Sequence, residues 1–203
     1  MRRFKQGALA PAIACVFAVI MLSGCAISPY VDNGLGELRP EDKVTVANPK
    51  PVQLLFEFQT KGVGNGRATD FLKTEVLTAV QGSGLFLEPG PAPVSDGALL
   101  HIVINNVVLT DDAFSKGFTT GLTLGLAGTT VADGYICTVD YLAGGTKKIE
   151  QVTRDVIYGN IGAKEAPPHA EKVASLEIAI KTVTRRMVSH ALNDLARNPE
   201  FPK

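Results

Sequence analysis

The hydrophobic period of this chain changes several times. In PVQLLFEFQ, Pro51 to Gln59, the residues Val52, Leu54, Phe56 and Phe58 alternate with their neighbours, which is the period of a half-buried strand. In RATDFLKTEVLTAVQGSG the period becomes helical. Leu72, Val76, Ala79 and Val80 share one side, and Gly82 or Gly84 is placed to end the helix. LFLE reads as a short strand and PGPAPVSDG as a loop. ALLHIVINNVVL is apolar on both faces and rich in β-branched residues, as a central strand would be. YICTVDYLA alternates again, with Tyr135, Cys137, Val139 and Tyr141 together. Beyond a turn at Gly144-Gly145, KKIEQVTRDVIY returns as its hairpin partner.

The C-terminal region predicts a long helix. Pro168 suits a first helical position, Glu171 favours the positive helix start, and Asn198-Pro199 closes it. Val173, Leu176, Ile180, Val183, Met187 and Ala191 recur at steps of three and four, a core-facing stripe on a helix of about 25–30 residues. A helix lying across a sheet and a coiled-coil seam both fit that stripe, and the sheet partner is the expectation. The predicted class is α+β: an antiparallel or mixed sheet of about five strands, with two helices packed on one face. In broad plan this resembles several envelope lipoproteins and the N-terminal domain of TolB, a likeness of fold that assigns no function.

GFTTGLTLGLAGTTVADG, Gly117 to Gly134, carries no charge as far as Ala132. Gly117, Gly121 and Gly125 stand four apart, the spacing of a glycine zipper between membrane helices. The uncharged run is shorter than the roughly 20 residues a spanning helix needs, and its glycines and threonines are poor helix formers. Leu122, Leu124 and Leu126 alternate with small residues, so the stretch could also supply one strand of a pore. That arrangement resembles the curli secretion lipoprotein family. The reading adopted is a glycine-rich insertion, 114–134, with Phe114, Phe118, Leu122, Leu124 and Leu126 as contact residues for a membrane surface or a partner.

The first residues change the picture most. MRRFKQGALAPAIACVFAVIMLSGCAIS opens with Arg2, Arg3 and Lys5 and continues in an apolar run to Leu22, the pattern of an export signal. Leu22-Ser23-Gly24-Cys25 resembles a bacterial lipobox. The resemblance implies cleavage before Cys25, a diacylglyceryl group on its thiol and acylation of the new amine. Two or three buried chains, at about 0.8 kcal/mol per methylene, would hold the protein on a bilayer effectively permanently. Residue 26 is Ala rather than the Asp that retains many such proteins at the inner membrane, which points to the periplasmic face of the outer membrane. The expected organisation is a signal peptide over 1–24 and a membrane tether over 25–42. A single domain over 43–198 and a tail over 199–203 complete it.

Composition narrows the function classes. The 203 residues have a formal net charge of zero and no Trp, without the basic face a nucleic-acid binder requires. With Cys15 removed and Cys25 acylated, Cys137 has no partner for an intramolecular disulfide. As a nucleophile it would stand on an apolar strand face, where a buried inert thiol is expected.

His101 belongs to an apolar strand. His169 and His190, at opposite ends of the expected helix, would be roughly 30 Å apart and could not share a metal. Lys61 to Arg67, KGVGNGR, lacks the G-K-[ST] ending of a phosphate loop and reads as a turn with Asn65 or Gly66 near a helix cap. Asp111-Asp112 reads as a solvated turn, and Thr184-Arg185-Arg186 as a solvated helix face. No catalytic residue, metal site or cofactor is expected. The expected role is a non-enzymatic accessory or assembly factor, contacting an envelope complex through the glycine-rich loop and the adjacent sheet edge. The alternatives are a carrier or sensor holding a lipid or small hydrophobic molecule between sheet and long helix, and an oligomeric pore.

Overall fold

The computed structural model describes residues 27–95, 97–109, 130–144, 147–161 and 168–202. The strand predicted at Val52 to Phe58 is β2, Lys50–Thr60. Val52 and Phe58 are buried, and Leu54 and Phe56 pack against the same core. A two-residue strand, β3 (Val63–Gly64), folds back on β2 and leads into α1, Gly66–Ser83. Asn65 caps this helix by accepting a hydrogen bond from the Ala68 N–H at 3.1 Å. Gly84, at φ 68°, ends it in the left-handed conformation that a side chain would strain. All four residues of the predicted stripe, Leu72, Val76, Ala79 and Val80, are buried.

β4 (Phe86–Gly90) then runs parallel to the start of β2. β5 (Leu99–Val108) lies parallel to β2 on its other side. β6 (Thr130–Leu142) and β7 (Lys148–Ile161) form the expected antiparallel hairpin, with Tyr135, Cys137, Val139 and Tyr141 turned into the core. The sheet is mixed, as predicted, but has eight strands among the described residues rather than about five, in the order β3-β2-β5-β6-β7-β1-β8 with β4 also on β2. The strands the sequence did not announce are β1 (Ile27–Asp32), β3 and β8 (Ala170–Lys172). Two of these are too short to show a period. β1 carries Ser, Pro and Asp among its six residues, so its polarity hides it.

The stretch expected as a tether, 25–42, therefore contains a strand inside the sheet. Val31 and Asp32 are fully buried, with β7 on one side of β1 and β8 on the other. A single 3-10 turn follows at Pro40–Asp42.

The C-terminal helix is also shorter than predicted. α2 spans Leu176–Arg197, capped by Ser175, whose hydroxyl accepts from the Ile178 N–H at 3.2 Å. Pro168 and His169 form a turn, and Ala170–Lys172 pairs with β1 instead of starting the helix. Pairing to a distant strand overrode the helical signal of that segment. Val183, Met187 and Ala191 of the stripe are fully buried against the sheet, whereas Leu176 is 60% exposed. Both helices pack on one sheet face, and α1 also packs against α2.

The glycine-rich insertion ends before Thr130 rather than at 134, because β6 runs unbroken through Asp133 and Gly134, which pair with Val108 and Val107. The strands that flank it, β5 and β6, are interior strands and offer no sheet edge.

Candidate functional site

The densest polar constellation lies where β1, β7 and α2 meet. Asp32 and Asp155 are both fully buried. The Asp32 carboxylate accepts from the Gly34 N–H at 2.7 Å and from the Tyr158 hydroxyl at 3.0 Å. Arg186, only 6% exposed, donates from Nη1 to the Asp32 carbonyl and from Nε to Glu37 Oε1. Its Nη2 lies 3.8 Å from Glu171.

Asp155 Oδ1 accepts from the Val156 N–H at 2.8 Å, and its Oδ2 has no hydrogen-bond partner among the described residues. Burial pushes its carboxyl up to about 7, against the opposing pull of the Val156 N–H and the Arg186 charge. Burial and the nearby Asp32 carboxylate likewise raise the Tyr158 hydroxyl. Thr184 and Arg186, expected on a solvated face, are thus buried, and Arg185 alone of the three keeps contact with solvent. The sequence held the signal: residue 186 stands three after Val183 and one before Met187, within the apolar stripe. Asp155 shares strand parity with Thr153 and Ile157, both on the core side.

A cleft of about 240 Å³ opens between α1, α2 and the segment from Leu38 to Val44. Ala79, Leu85, Leu38 and Val44 give it an apolar floor, and Lys43, Arg185 and Asn193 are polar groups on its lining. Arg185 donates to Glu37 at 2.8 Å and to Glu75 at 3.4 Å. Burial works against ionisation of Glu37, but Arg185 and Arg186 hold its carboxyl below the usual range. The ligand space expected between sheet and long helix is filled instead, by Val183, Met187 and Ala191 against the strands. A second hollow of about 190 Å³ lies between β2 and α1, lined by Leu54, Phe56, Lys73 and Leu77 among others.

His101 sits half-buried on β5, opposite Asp140 of β6. His169 lies in the turn before β8, not at a helix start, and His190 is on the inner part of α2. Cys137 is fully buried, and burial pushes its thiol up to about 12, so the thiolate that would react is suppressed. KGVGNGR forms the turn, short strand and cap leading into α1. Among the described residues no group of three or more His, Cys, Asp and Glu is placed to hold a metal. No helix among them is long and apolar enough to cross a membrane.

The lipobox Leu22, Ser23, Gly24 and Cys25 lies outside the described residues. So do Phe114, Phe118, Leu122, Leu124 and Leu126, and the Asp111-Asp112 pair. Their flanks are placed, however. Ile27 pairs with Ile161, Thr130 with Asn160, and Val108 with Asp133. The start of β1, the end of β5 and the start of β6 thus stand at one end of the sheet.

No family model matches the sequence, and no curated protein matches it at a significant level. Among solved structures, the chain is similar to a minor lipoprotein from Acinetobacter baumannii. The identity is 12% and the TM-score 0.33, over 76% of this chain and 91% of that one. A likeness at that level is too slight to assign a role.

Proposed function

We propose that the protein is a lipid-anchored, periplasm-facing envelope lipoprotein, at the outer membrane by the residue after Cys25. It serves as a non-enzymatic accessory or assembly factor for another envelope component. The observation behind this reading is the position of the first strand. Ile27 opens β1 two residues after Cys25, so cleavage between Gly24 and Cys25 leaves every described element whole. A lipobox that cut inside the sheet would have argued the opposite.

The test is the mass of the mature N-terminal peptide, with Cys25→Ala as control and Ala26→Asp as the sorting variant. An acylated Cys25 peptide in the outer-membrane fraction supports the anchor, and an unmodified or uncleaved N-terminus removes it. In-cell photo-crosslinking from positions 118 and 124 then tests the accessory role, which predicts discrete adducts with another protein. Self-adducts would favour the pore.

The carrier reading has one feature in its favour, the apolar cleft between α1 and α2 with Lys43 and Arg185 on its lining. A bound amphiphile with an anionic head would fit it, and mass analysis of lipid extracted from the purified protein decides. Absence of stoichiometric lipid would remove the carrier reading.

A further inference from the structure

We propose that the end of the sheet carrying Val63, Val108 and Leu176 rests directly on the lipid surface that holds the Cys25 acyl chains. This rests on the lipid-anchored reading and adds to it an orientation and a contact surface.

The reach of the anchor sets the first constraint. Only Ala26 separates Cys25 from β1, and two residues of fully extended chain span at most about 7 Å. A strand locked between β7 and β8 cannot lengthen that reach without breaking its ladder, so the sheet end at Ile27 stays within headgroup distance of the bilayer.

The topology brings other elements to the same end. Thr60 pairs with Asn106, and Val107 and Val108 pair with Gly134 and Asp133. The β2–β3 turn and the end of β5 therefore lie towards the same end as the start of β6, stepped back from Thr130 by three to five residues, about 10–17 Å along the strand. Val173 donates from its N–H to the Pro29 carbonyl at 3.1 Å, so the chain leaves β8 towards this end before α2 begins.

Exposed apolar side chains gather here. Val63 is 70% exposed, Leu176 60%, Val108 50% and Ile178 46%. Leu87, at 52%, is an exception: it pairs with Pro51 at the far end of β2, about 30 Å away by strand rise, and the less exposed Leu55 and Val152 stand mid-sheet. Among the described residues, the charges nearest this end are Lys61, Arg67 and Lys172 against Asp70, Asp133 and Glu177, which balance. Apolar contact and the short anchor set the orientation, not attraction to anionic lipid. The glycine-rich stretch leaves the sheet at Leu109 and re-enters at Thr130, both at this end.

The experiment uses the full chain, purified with its lipid from membranes and reconstituted in phosphatidylethanolamine–phosphatidylglycerol vesicles carrying a nitroxide-labelled lipid. A fluorophore is placed on Val63→Cys, Val108→Cys or, at the far end, Leu87→Cys. Cys137 is fully buried and stays unlabelled in the folded protein. Quenching severalfold stronger at 63 and 108 than at 87 is the expected result. Equal quenching, or the reverse order, overturns the orientation. The N-terminal peptide of the same sample is weighed. Acylated protein with equal quenching refutes the orientation while the anchor stands, and an unacylated N-terminus removes both.

Discussion

Arg186 on α2 reaches Asp32 on β1 across 154 residues of sequence, its Nη1 donating to the Asp32 carbonyl at 3.2 Å. One guanidinium therefore holds together the first strand, the loop bearing Glu37 and the last helix.

Replacing it tests that joint. Arg186→Met leaves the Asp32 carbonyl without its donor and removes the positive charge beside Asp155, a loss of about 3 kcal/mol. Urea unfolding will show a lowered midpoint with an unchanged slope. Arg186→Lys keeps the charge but not the forked geometry, and falls between the two.

Asp155 gives stability a pH dependence of uncommon sign. Its carboxyl is raised from 3.8 to about 7 on folding, so between those values the folded state holds the proton and the unfolded state has lost it. Its contribution is fully present below the lower value and is lost as pH rises through the upper one. Asp155→Asn removes this dependence. The variant is expected to gain on the parent by a few kcal/mol between pH 5 and pH 8, in paired thermal melts.

The corrected helix stripe separates two residues the sequence had grouped. Met187→Ala opens a cavity at a fully buried site and costs about 2–5 kcal/mol. Leu176→Ala, at an exposed first turn, stays within about 0.5 kcal/mol. Denaturant midpoints of the two variants check both values.

Gly84 offers a purely conformational test. A Cβ there would meet nothing within 4 Å, so Gly84→Ala costs only the strain of φ 68°, about 1 kcal/mol. Asn65→Ala, at the other end of α1, removes the cap to the Ala68 N–H and costs about the same. The two ends share no contact, so the double variant loses the sum.

The legible parts of this fold are those whose pattern is local. Val52 to Phe58, the Leu72 to Val80 stripe and the Tyr135 to Tyr141 alternation each repeat often enough to declare their element. β1 and β8 do not. The sequence ISPYVD is a strand because β7, β8 and Arg186 surround it, and nothing within six residues can report that. Pro168 and Glu171 fit a helix start equally well until β1 offers Ala170–Lys172 a ladder. The buried acid–arginine joint was hidden because a residue-type reading places charged residues outside, and only strand parity and helix phase contradict it. The cleft was misplaced for a different reason: periodicity shows which faces are apolar, not which pair of faces leaves a gap.

The pairing of β1 with β7 has a consequence for the order of events in the life of the chain. Tyr158 and Asp32, joined in the native sheet, are 126 residues apart. A chain threaded through an export channel from its N-terminus delivers β1 first and its neighbours last. Until β7 and β8 emerge, the first strand has no ladder to join, and contacts of such long sequence separation form slowly. Closure of the sheet in such a chain is thus a late step, taken only after β8 has emerged. On the proposed lipid-anchored reading, the exported domain would complete itself beside Cys25, with its first strand the element that waits longest for a partner.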